Sequence, residues 1–98
     1  MNIKINSVHF KTDQKLDSFI EKKVQKLSAI HEGVMGSDVI LKIDNSENRE
    51  NKVAEIRILL KGEELFAKKQ SKTFEGATDM AVDALKKQLE KHKERFKK

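Results

Sequence analysis

The stretch VAEIRILLKGEELFAKKQS, residues 53–71, decides the fold. From Val53 to Lys61, Ala54, Ile56, Ile58 and Leu60 lie on one face against Glu55, Arg57 and Lys61, the period-two pattern of a strand with one side on a core. Lys61-Gly62-Glu63 then reads as a turn, with glycine supplying the backbone freedom a tight connection needs. It sends the chain back through a second strand, Glu64–Ser71, which is polar from Lys68 onward as the edge of a sheet should be. An antiparallel hairpin with one apolar face is thereby placed mid-chain, and the flanking segments must cover that face.

Working outward, Asp38–Asp44 contains Val39-Ile40-Leu41-Lys42-Ile43, apolar and β-branched enough for a central strand, and the polar run Asn45–Asn51 links it to the hairpin. Before it, Leu16, Phe19, Ile20, Val24, Leu27 and Ile30 recur at three- and four-residue steps, so a helix spans about Asp13–Ala29, capped by Thr12 or Asp13. Two glycines in Glu32-Gly33-Val34-Met35-Gly36-Ser37 suit the turn that leaves this helix. The chain opens on a strand near Asn2–His9, with Ile3 and Ile5 inward and Lys4 and Asn6 outward. Val8 and Phe10 fall out of that phase, which suggests a bulge near Asn6–Ser7. Beyond the hairpin, Thr73 can cap a long helix, Phe74–Phe96, whose stripe is Phe74, Ala77, Ala81, Val82, Leu85, Leu89, His92 and Phe96. The order is βαβββα. This predicts a two-layer α/β (α+β) sandwich, a four-stranded mixed sheet with two helices on one face, folded as a single domain over residues 1–98.

Composition bounds the function. The 98 residues are 37% apolar and 38% charged, with a mean hydropathy of −0.69, so a small core carries a heavily solvated surface. No run approaches the roughly 20 apolar residues of a membrane span, and the N-terminus lacks the pattern of a signal peptide, so a cytoplasmic protein with no membrane partner is expected. The absence of cysteine excludes thiol catalysis, thiolate metal sites and disulfides. His9, His31 and His92 are far apart, and the glycines at 33, 36, 62 and 76 match no phosphate-binding loop. The acidic pairs Glu63–Glu64 and Glu47/Glu50 sit in a turn and a polar loop, where solvated charge is the ordinary explanation. Neither an enzyme, a cofactor, a metal site nor a small-molecule substrate is expected.

The net charge of +5 is unevenly placed: residues 1–85 hold 14 basic and 14 acidic side chains, residues 86–98 seven basic and two acidic. On the first helix, Lys15, Lys22 and Lys26 share one flank and Asp17 and Glu21 the other. On the second, Lys87, Lys91 and Arg95 form an i, i+4 ladder on one flank, Lys86, Lys93 and Lys97 line the other, and Glu90 and Glu94 lie between. Lysine-rich amphipathic helices are most often simply solvated. Repeating one sign at adjacent turns, however, disfavours the free helix by a few tenths of a kcal/mol per pair, which a polyanion would offset. Phosphates bound by such a surface would be held with strong salt dependence and little sequence preference.

There is no Trp or Tyr, and of five Phe three (Phe19, Phe74, Phe96) take helical core positions, leaving only Phe10 and Phe66 for stacking. Recognition of backbone shape and phosphate position in folded RNA is therefore favoured over base stacking. His92 reads first as a boundary histidine on the core edge and second as a hydrogen-bonding contact to RNA. A rival use of the basic helix is docking to an acidic protein partner, as a transcription-factor modulator would do.

The order βαβββα, with Lys23-Val24-Gln25-Lys26-Leu27, Val39-Ile40-Leu41-Lys42-Ile43 and above all Leu85-Lys86-Lys87-Gln88-Leu89-Glu90-Lys91-His92-Lys93, resembles the ribosome hibernation promoting factor / ribosome-associated inhibitor A family. Its members have also been called sigma-54 modulation proteins. The resemblance covers essentially the whole chain. It implies a double-stranded-RNA-binding-domain-like fold and a stationary-phase or stress protein that docks on the small ribosomal subunit. There it would occupy the mRNA and tRNA channel, contact ribosomal RNA and block translation. Residue by residue, it implies RNA-facing roles for Lys23 and Lys26 and for Lys87, Lys91, His92 and Lys93. Lys22, Lys86 and Arg95 join them from helical geometry. Ending at Lys98, the chain looks like a short form, which would need a separate ribosome-dimerising factor to pair ribosomes.

Overall fold

The computed structural model describes residues 1–44 and 49–95, with side chains through His92. Six elements follow one another: β1 (Asn2–Ser7), α1 (Gln14–Ser28), β2 (Val34–Ile43), β3 (Lys52–Leu60), β4 (Glu63–Ser71) and α2 (Phe74–Arg95). They build one mixed sheet in the order β1-β2-β3-β4, parallel between β1 and β2 and antiparallel elsewhere. The hairpin behaves as its alternation requires, with Ala54, Ile56 and Ile58 fully buried and Leu60 nearly so. Val39 and Leu41 of β2 point to the same side.

Both helices close that side. Leu16, Ile20, Val24 and Leu27 of α1 and Phe74, Ala77, Ala81, Leu85 and Leu89 of α2 complete a single apolar cluster with the strands. Each helix starts on a side-chain cap: Asp13 Oδ1 accepts from the Leu16 N–H at 2.7 Å, and Thr73 Oγ1 from the Gly76 N–H at 2.9 Å. Capping at Asp13 rather than Thr12 settles the alternative that the sequence left open.

Three details depart from the sequence reading. β1 carries no bulge: its pairing with β2 is regular from Asn2 to Ser7 and the strand then stops. The phase slip comes instead from a left-handed His9 (φ 64°), which swings Phe10 onto Phe74 with ring centroids 4.9 Å apart. β2 begins at Val34 rather than Asp38, and the irregularity lies here, between Val34 and Gly36. Gly36 permits it, because a Cβ there would sit 3.0 Å from the Asn2 carbonyl oxygen of β1. The hairpin turn is shorter than read, with β4 starting at Glu63 and Gly62 at φ 74°. Part of the polar link, residues 45–48, and the last member of the apolar stripe, Phe96, lie outside the described residues.

The topology sets the helices parallel. β4 runs with β1, so α1 and α2 both return across the sheet in the same sense. Two cross-helix contacts mark this, Lys23 to Asp79 early and His31 to His92 at the far end.

Candidate nucleic-acid interface

Lys22 and Lys26 stand exposed on α1, and Lys86, Lys87 and Lys91 on α2. Their positions follow from two contacts. The Lys23 ammonium, half-buried, lies 3.1 Å from the Asp79 carboxylate and 5.5 Å from the centre of the Phe19 ring, which identifies the flank of α2 turned to α1. Lys86 lies about 20° from Asp79 around the helix and so belongs to that flank. On the opposite side, Gln88 Nε2 donates to the Phe66 carbonyl of β4 at 3.1 Å, and Lys87 shares a crevice with Lys69 of β4. Lysines thus occupy both flanks of α2, as read from the sequence. Only the Lys86 flank adjoins the basic side of α1. Lys69 is a neighbour the sequence reading missed, since nothing in a strand pattern shows which helix flank it will meet.

Availability separates the cations further. Lys23 is held by Asp79, and Lys87 lies 3.8 Å from Asp83 one turn earlier. Lys22, Lys26, Lys86 and Lys91 have no ion pair among the described residues. On the open face of the sheet Lys42 meets Glu55 at 2.6 Å and Arg57 meets Glu64 at 3.4 Å, while Lys4 and Lys68 have no ion pair among the described residues but stand beside Asp38 and Glu55 in the register. Lys93 and Arg95 continue the backbone of α2, and their side chains lie outside the described residues.

His92 has internal partners. Its Nε2 is 2.6 Å from Glu63 at the start of β4 and its Nδ1 is 2.9 Å from Nε2 of His31, which follows α1. The side chain is 10% exposed, so the boundary-histidine reading describes its setting, and His31 and Glu63 are partners that sequence spacing could not have paired. No group of three His, Asp or Glu residues is arranged to hold a metal ion among the described residues. None of the described helices is long and apolar enough to cross a membrane.

The sequence profile described as Sigma 54 modulation protein / S30EA ribosomal protein matches residues 3–97. The chain belongs to this family. A curated member, the ribosome hibernation promoting factor of Pseudomonas putida, is 24% identical over 95 residues, spanning 97% of this chain and 89% of the relative. The N-terminal domain of Protein Y from Thermus thermophilus superposes with a TM-score of 0.81 at 25% identity, covering 94% of this chain and 99% of that one. A ribosomal subunit interface protein from Coxiella burnetii gives a TM-score of 0.82 at 22% identity over 95% and 98% of the two chains, a likeness of fold. The βαβββα sandwich is thus the fold of the S30EA family.

Proposed function

We propose that this chain is a ribosome-associated regulator of translation that binds small-subunit ribosomal RNA through its helical layer and acts by occupying the mRNA and tRNA channel under stress. The observation that carries the reading is the set of exposed lysines without an ion pair among the described residues, Lys22, Lys26, Lys86 and Lys91, on a chain of the S30EA family. Ammonium groups on two parallel helices match phosphates of a folded RNA, whose spacing is set by shape rather than base identity. The role asked of the protein is steric, so it needs no catalytic group or cofactor. Its place of action is the cytoplasm, where ribosomes are.

Replacing Lys26, Lys86 and Lys91 together by glutamate tests this. The variant is expected to lose co-sedimentation with purified small subunits while keeping its circular dichroism spectrum, because none of the three is part of the core. Retained binding would overturn the assignment of the face. The family description also contains sigma-54 modulation, which favours one second reading, docking of the same helix to an acidic transcription-factor surface. Binding to purified small subunits with no other protein present separates the two.

A further inference from the structure

The last buried apolar residue of α2 among the described ones is Leu89. The next turn carries Lys91 and is held to the body through His92, whose hydrogen bonds form a chain with a determined direction. The Gly33 N–H can only donate, and it points to His31 Nδ1 at 2.8 Å. His31 Nδ1 is therefore an acceptor, and the ring proton of neutral His31 sits on Nε2. That Nε2–H faces His92 Nδ1 at 2.9 Å, which must accept, so neutral His92 carries its own proton on Nε2. The His92 Nε2–H then donates to the Glu63 carboxylate at 2.6 Å. Gly33, His31, His92 and Glu63 thus form one directed series joining the exit of α1, the end of α2 and the start of β4.

The backbone is shaped to admit it. A Cβ at Gly33 would lie 2.8 Å from His31 Cε1 and 3.0 Å from its Nδ1, so only glycine lets the ring come this close. A proton added at His31 Nδ1 would oppose the Gly33 N–H, and one added at His92 Nδ1 would oppose the His31 Nε2–H while turning the His92–Glu63 contact into an ion pair. Among the described residues, the charged groups beside it include Glu63 at the start of β4 and Lys91, which lines the same crevice as Glu63, Leu65, Gln88 and His92. Glu32 beside His31, Lys61 in the β3–β4 turn, and Lys93 and Arg95 further along α2 are its neighbours in the chain.

We infer that His31, His92 and Glu63 are positioning residues for the RNA-facing end of α2, acting through this directed hydrogen-bond series. The bearing on RNA rests on the function proposed above. The device itself is tested in the free protein. Nitrogen-15 spectra of the histidine rings near pH 8 should show both rings as Nε2–H tautomers, and an Nδ1–H tautomer at either ring would overturn the inference. Amide exchange at residues 92–95 at pH 8 should be about fivefold or more faster in His31→Leu than in the parent.

His31→Gln provides the control, because its amide can donate to His92 Nδ1 as the imidazole does. It should keep protection at pH 8, whereas His31→Leu should lose it. Protection in His31→Leu equal to the parent, or protection in His31→Gln as low as in His31→Leu, would sink the inference. At pH 8, His31→Leu should bind small subunits about three- to tenfold more weakly than His31→Gln, the worth of one or two hydrogen bonds. Equal affinities would refute the positioning role. Failure of the parent protein itself to bind would refute the RNA reading, leaving the tautomer and exchange results to judge the device.

Discussion

Lys23 shows how a single residue can be well placed yet restrained. Its ammonium lies between the Phe19 ring and the Asp79 carboxylate, with side chains 34% and 52% exposed for the lysine and the aspartate. An exposed pair of this kind contributes little to stability, about 0–1 kcal/mol. Its larger effect is on function, because Asp79 competes with any phosphate for the same cation. Asp79→Asn should leave the melting temperature nearly unchanged and raise affinity for small subunits about two- to threefold, the effect of one released ammonium in screened solution. Titration of the variant against purified subunits checks this, and an unchanged affinity would show that Lys23 makes no phosphate contact.

The charges on each helix also answer to the helix itself. α1 carries Asp13 at its cap, Asp17 in its first turn and Lys26 in its last, and α2 carries Glu75 in its first turn. These terminal charges complement the macrodipole, which matters more when two parallel helices align their dipoles. Within α2, part of the charge pattern is explained by stability, since Asp83 followed by Lys87 is a favourable i, i+4 pair. The excess of unmatched lysine is what that account leaves over. The same physics makes Asp13 important twice, as cap and as N-terminal charge. Asp13→Ala should cost about 1 kcal/mol, lowering the melting temperature by about 4–8 °C for a domain this size, with ribosome affinity unaffected. Element boundaries were legible wherever such local chemistry set them, as at Asp13 and Thr73. The start of β2 was not legible, because Val34 joins the sheet by pairing with Leu60 of β3 across the irregularity before Gly36, a contact with a segment distant in the chain.

Across the whole molecule, period and turn chemistry sufficed for the layered fold, since Ile56, Ile58, Leu85 and Leu89 are buried as their spacing required. The candidate site was legible only as a set of lysines. Which of them are spent on Asp79 and Asp83, and that His92 joins His31 and Glu63, depend on packing between distant segments that no spacing encodes. The resulting charge distribution makes a final prediction. The open sheet face intersperses Lys4, Lys42, Arg57 and Lys68 with Asp38, Glu55 and Glu64, while the helical layer keeps Lys22, Lys26, Lys86 and Lys91 without an ion pair among the described residues, so a polyanion should be held by a handful of phosphate contacts on that layer. Each phosphate neutralised releases a condensed counterion, and about five contacts give a slope of about −4 in log K against log salt. Asp79→Asn should steepen that slope by about one and Lys86→Glu should flatten it by at least as much, since each changes one phosphate-facing cation. Measured over a salt series with purified small subunits, a slope near zero would place the affinity in protein–protein contacts and transfer the basic helix to the transcription-factor reading.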